Sequence, residues 1–104
     1  MTMEQNRLQL HSELVSILGS NNVYFQPPES VKLKYPAIIY SRNDINDSHA
    51  NNDTYYRRVM YQLTVIDPDP DSEIVEKVAN MKYCSFERHF NSSNLNHDIF
   101  IIFY

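Results

Sequence analysis

The chain has 104 residues, 42% of them hydrophobic and 21% charged, and carries a formal net charge of −4. That length suits one domain with a single two-layer core, and the 12% aromatic share, eight tyrosines among it, argues against disorder. The acidic balance, with Arg57-Arg58 the one adjacent pair of arginines or lysines, excludes the broad basic footprint of a protein that grips free nucleic acid.

No apolar run approaches the ~20 residues of a membrane-spanning helix, and Met1-Thr2-Met3-Glu4-Gln5 lacks a basic segment followed by an apolar one. The expectation is a protein made in the cytosol, not secreted, with no membrane partner. With one glycine, a phosphate-binding loop or dinucleotide fingerprint cannot form. With one cysteine, an intrachain disulfide or a multi-cysteine zinc site cannot form either.

The first segment reads as a helix, because Leu10, Leu14, Ile17 and Leu18 share one face. Thr2 with Gln5 matches a capping box, and Gly19 suits the left-handed position after the last turn. Asn21-Asn22 leads into a short extended piece, Val23-Tyr24-Phe25, closed by Pro27-Pro28. From Tyr35 a strand is expected with Pro36 at its start, and Ala37-Ile38-Ile39-Tyr40, apolar on both faces, suggests burial between layers. Ser41 to Thr54 is rich in Asn, Asp and Ser and predicts a long hairpin loop, with some strand character as far as Ile45.

Tyr55 to Ile66 predicts the longest strand, with Val59, Tyr61, Leu63 and Val65 on a core face and Arg58, Gln62 and Thr64 opposite. A second helix follows, with Ile74, Val75, Val78 and Met81 at helical spacing and a Glu73–Lys77 pair. Next comes alternation that sets Cys84, Phe86, Arg88 and Phe90 against Ser85, Glu87 and His89, then a polar turn at 91–94. The closing run His97 to Tyr104 is apolar on both faces, so it must pair internally or with another copy of the chain. The sum is an α+β fold, two helices packed on a four- to five-stranded, mainly antiparallel sheet, in a single domain over 1–104.

Three features invite a chemical reading. Asp67, Asp69 and Asp71 have calcium-loop spacing, but Ser72 stands where glycine is needed and Val78 where a bidentate glutamate is needed. A structural reading uses each residue: Pro68 ends the strand, Asp69 caps the helix, Pro70 fills its first position, and Asp71 and Glu73 face the positive end of its dipole. His11, His49, His89 and His97 lack metal-ligand spacing, and His97 beside Asp98 reads as a hydrogen-bonded strand-end histidine. Cys84 reads as a small core residue. No catalytic residue, metal ligand or cofactor is expected.

Three stretches taken together resemble a known family: Asn22 to Pro28 leading to Tyr35-Pro36-Ala37-Ile38, Tyr61 to Asp71, and Asn94-Leu95-Asn96-His97-Asp98 before a terminal strand. In their order and spacing, over most of the chain, they are similar to the tail terminator (tail completion, or tail-to-head joining) proteins of long-tailed bacteriophages. The resemblance implies a non-enzymatic virion subunit, assembled in the host cytoplasm into a homohexameric ring at the head-proximal end of the tail. It implies that the ring ends tube polymerisation and joins the tail to the head connector. The implied partners are other copies of the chain, the major tail tube protein and the head-tail connector protein, with DNA only as passing cargo.

A ring needs a heterologous interface, for which protruding arms and strand edges are the usual material. The expected contact residues are therefore Asn43, Asp44, Asn46, Asp47, His49, Asn51, Asn52 and Arg57 in the polar hairpin segment, read as either a partner-contacting arm or a plain solvated loop, and Phe100, Ile102 and Tyr104 in the terminal strand. Alternatives are a head-completion adaptor on the portal side, a cytosolic adaptor that binds an extended peptide at a sheet edge, and a small metal-dependent hydrolase using the Asp67–Glu73 acids.

Overall fold

The computed structural model of the protein describes residues 2–49 and 55–104, and for 45–49 and 55–58 it describes the backbone alone. The elements are α1 (Met3–Leu18), β1 (Val23–Phe25), β2 (Ala37–His49), β3 (Tyr55–Asp67), α2 (Glu73–Ala79), β4 (Cys84–Ser92) and β5 (Leu95–Phe103). The strands form one sheet in the order β1-β2-β3-β5-β4. Only β1 and β2 run parallel, so the sheet is mixed but mainly antiparallel, and the fold is α+β as the sequence predicts.

Helix α1 is bounded as its sequence dictates. The Thr2 hydroxyl accepts from the Gln5 N–H at 3.1 Å, and the Gln5 side chain accepts from the Thr2 N–H at 2.9 Å, which satisfies two amide donors that have no partner within the helix. At the other end Gly19 adopts φ 78° and donates to Val15 O, a conformation that a side chain would strain. Leu10 and Leu14 are fully buried, with Ile17 and Leu18 half-buried beside them.

They pack on Val23, Ile38, Tyr40, Val59, Tyr61, Leu63, Val65, Phe100 and Ile102, one face of the sheet, and Val78 of α2 joins the same cluster. Both helices therefore cover one face, and apolar burial there is the main stabilising term. On the opposite face Ala37, Ile66 and Ile99 are buried by sheet neighbours, while Ile39, Met60, Ile101 and Phe103 stay half-exposed. The runs apolar on both faces thus correct to a sheet covered by helices on one side; high β-propensity served the strands on the other.

Three further expectations are corrected, and one that the sequence left open is decided, by tertiary partners that local sequence does not specify. Residues 41–49, expected to be mostly loop, continue β2 to His49, because β3 offers a matching ladder from Ala37↔Ile66 to His49↔Tyr55. A bulge between Arg42 and Asp44 leaves Asn43 unpaired and absorbs the mismatch. A second bulge, between Phe86 and Arg88, reverses the alternation of β4. Phe86 pairs with Phe100 on the core side, whereas Arg88 and Phe90 pair with Ile99 and His97 on the other.

The cap of α2 is Ser72, not Asp69, and Pro70 lies in the preceding turn. The Asp67 and Asp69 carboxylates are already used, accepting from the N–H groups of Asp69 and Asp71 at 2.9 Å each in two successive side-chain turns. Finally, the terminal run is not an edge. Strand β5 lies between β3 and β4 and pairs along its length with both, so Phe100 and Ile102 belong to the core.

Two segments that bear the family resemblance meet in space. The buried Asn96 donates to Asp67 O at 3.1 Å and Pro68 O at 3.2 Å, clamping the acidic turn to the start of β5. The β4–β5 hairpin turns at Ser93 and Asn94, both with positive φ, the geometry that matches the twist of paired strands.

Candidate functional site

Strand β3 pairs with β5 only from Met60 onward, while β2 and β3 stay paired out to His49 and Tyr55. The backbone of 45–49 and 55–58 therefore forms a two-stranded ribbon that projects past the sheet. It helps to make the molecule 51 Å long but only 24 and 23 Å across. Of the expected contact residues, Asn43 sits exposed at the bulge where the ribbon begins, with exposed Asp44 next to it. Asn46, Asp47 and His49 lie along the ribbon, and Arg57 is the register partner of Asp47. Asn51 and Asn52 lie outside the described residues.

The structure thus gathers most of the polar set onto one element and separates it from Phe100 and Ile102. Tyr104 is half-buried and donates its N–H to Val59 O at 3.0 Å. It closes a groove of about 300 Å³ between α1 and the start of β4, with Gln9, Glu13, Met81 and Lys82 among its walls.

At the base of the ribbon lies a pocket of about 250 Å³ lined by Met3, Glu4, Arg7, Phe25, Arg42 and Tyr61. The Arg7 guanidinium lies 4.3 Å over the Phe25 ring and donates Nη1–H to the Tyr40 hydroxyl at 3.3 Å. That hydroxyl is also 2.8 Å from His11 Nδ1. Its oxygen accepts from Arg7 and its proton can be given to Nδ1, an arrangement that suits the neutral ring with the hydrogen on Nε2. Burial, reinforced by the Arg7 charge, lowers the His11 pKa from its ordinary 6.5. Burial raises the Tyr40 pKa, opposed by the hydrogen bond and charge of Arg7. The Tyr61 pKa is likewise raised by burial, and the charges of Arg7 and Arg42 pull it the other way.

Sequence reasoning missed this pocket. Its residues come from α1, β1, β2 and β3, and the one available signal was Arg7, a charge one helical turn from the core residue Leu10.

Elsewhere His97 Nδ1 sits 3.1 Å from Leu95 O, while Asp98 pairs across the strands with His89 at 2.8 Å. The adjacent His97-Asp98 of the sequence is thus divided between two sides of the sheet. Burial pushes the Cys84 thiol up to about 11, which suits a packing residue and not a nucleophile. Among the described residues no group of three or more His, Cys, Asp or Glu could hold a metal ion, and no helix is long and apolar enough to cross a membrane. No protein-family model matches the chain, and no curated protein matches it.

Proposed function

We propose that the chain is a structural virion subunit, a tail-terminator-like protein that assembles as a ring at the head-proximal end of a phage tail tube, ends tube growth and meets the head connector. The β2–β3 ribbon carries this reading. It extends beyond the last residue of β3 that pairs with β5, and it carries the backbone of Asn46, Asp47 and His49 past that point. A two-stranded ribbon is marginal by itself in water, and packing against a neighbouring subunit would stabilise it. The resemblance of the Asn22–Ile38, Tyr61–Asp71 and Asn94–Asp98 stretches to tail terminators supports the same role.

The test is the mass of the purified chain in solution, alone and with tail-tube protein, measured by light scattering after gel filtration. The expected result is a closed oligomer, or a complex that caps tube ends and stops their growth. A chain that stays monomeric and leaves tube length unchanged would sink the reading.

A further inference from the structure

The Arg7–Arg42 pocket and the Asp67–Glu73 turn stand at opposite ends of the stretch of β3 that pairs with β5. Arg42 pairs in register with Tyr61 at the ribbon end of β3, and the acidic turn begins at Asp67, at the other end of that strand. From Tyr61 to Asp67 the strand spans roughly 20 Å. The pocket also lies toward β1, whereas the turn is clamped to β5 by Asn96. The two features are therefore diagonal to each other, and one copy cannot bring them together.

They are complementary in charge and form. The pocket is lined by Arg7, held over Phe25 and bonded to Tyr40, and by the exposed Arg42, whose Nη1 lies 3.6 Å from Met3 Sδ, with Tyr61 and Glu4 also in its wall. The turn presents Asp69, Asp71 and Glu73, all exposed, and Glu76 follows on α2. Two prolines and two side-chain turns hold this loop in shape before any contact, which reduces the ordering cost of docking. Arginine is suited to the match, because its planar fork can bind a carboxylate through two parallel hydrogen bonds. A patch at one end that fits a patch at the other makes a head-to-tail contact, the kind that generates rings when its rotation closes.

We propose that the Arg7–Arg42 pocket of one copy receives the acidic Asp67–Glu73 turn of a second copy. This rests on the self-assembly reading above and names the contact that would drive it. The groups brought together are the Arg42 and Arg7 guanidinium groups and the carboxylates of Asp69, Asp71 and Glu73. Arg42 is the member to vary, being exposed, whereas Arg7 is tied into the Tyr40 and Phe25 contacts of the fold.

The experiment is sedimentation velocity on the full chain and on three charge variants, each first checked for native secondary structure and cooperative melting. Arg42→Glu alone and Asp71→Arg alone are expected to weaken self-association by about tenfold or more, since each sets like charges face to face. The combined Arg42→Glu/Asp71→Arg chain is expected to regain most of it, because the swapped charges meet across the contact. Association of the unaltered chain should also weaken by about tenfold between ~50 mM and ~500 mM salt. An oligomer that all three variants and salt leave unchanged would overturn this contact while leaving self-assembly standing. An unaltered chain that is monomeric in every condition, tail-tube protein included, would overturn both.

Discussion

At the scale of single residues, the triad of Arg7, His11 and Tyr40 makes a prediction about pH. His11 Nδ1 lies 2.8 Å from the Tyr40 hydroxyl, whose oxygen accepts from Arg7, and a neutral Nδ1 can take that hydroxyl's proton as an acceptor. Protonating Nδ1 would force two donors onto one oxygen beside a fixed positive charge, so the folded chain binds this proton less readily than the unfolded one. With the folded pKa below the unfolded 6.5, the contribution of neutral His11 is fully present above that value and is lost as pH falls toward the folded pKa. Thermal melts of the unaltered protein should therefore show a fall in stability beginning just below pH ~6.5. His11→Gln, which keeps an acceptor for the Tyr40 hydroxyl, should flatten that part of the profile; an identical slope in both proteins would rule out His11 as its origin. Sequence alone could not suggest this triad, because residues 7, 11 and 40 meet only once α1 lies on β2.

At the scale of elements, the acidic turn separates local from tertiary information. That Pro68 ends β3 and that a helix follows are readable from proline chemistry and helical periodicity. Which residue caps the helix is not, since Asp69, Asp71 and Ser72 are all competent caps and the choice depends on where the chain leaves the sheet. Ser72 takes the role, its hydroxyl accepting from the Ile74 N–H at 3.2 Å, and it is buried. Ser72→Ala should therefore lower stability by about 1 kcal/mol in denaturant melts. Asp69→Ala should cost less, as it removes only an exposed turn contact to Asp71. The reverse ranking would return the cap to Asp69. The bulges at Asn43 and Glu87 teach the same lesson for strands: alternation in sequence assigns faces only until an unpaired residue reverses them.

At the scale of the whole molecule, the projecting ribbon allows the proposed role in assembly to be tested apart from the stability of the core. Domain stability resides in the cluster of Leu10, Leu14, Tyr40, Tyr61, Leu63, Phe100 and Ile102. A chain in which an Asn-Gly turn replaces residues 47–57 keeps every pairing of β3 with β5 and should melt within about 1 kcal/mol of the unaltered protein, the turn matching strand twist. In gel filtration it should assemble more weakly than the full chain, since it loses the ribbon but keeps the Arg7–Arg42 pocket and the acidic turn. A shortened chain that assembles as well as the full one would take the ribbon out of the interface.

By itself the sequence determined the class of the fold, the two ends of α1, the core face of β3 and the identities of nearly all core side chains, because those properties follow from periodicity and capping within a few residues. Only the tertiary structure decided that 41–49 is strand and not loop, that β5 is interior, that the helices cover one face and that Arg7 and Arg42 share a pocket. Each depends on partners distant along the chain, and a cross-strand ladder can impose extended backbone on residues whose own preference is to turn. The polar hairpin segment shows the division most clearly. Its Asn, Asp and Ser residues announce a turn, and the register with β3 draws those up to Ser48 into a ribbon.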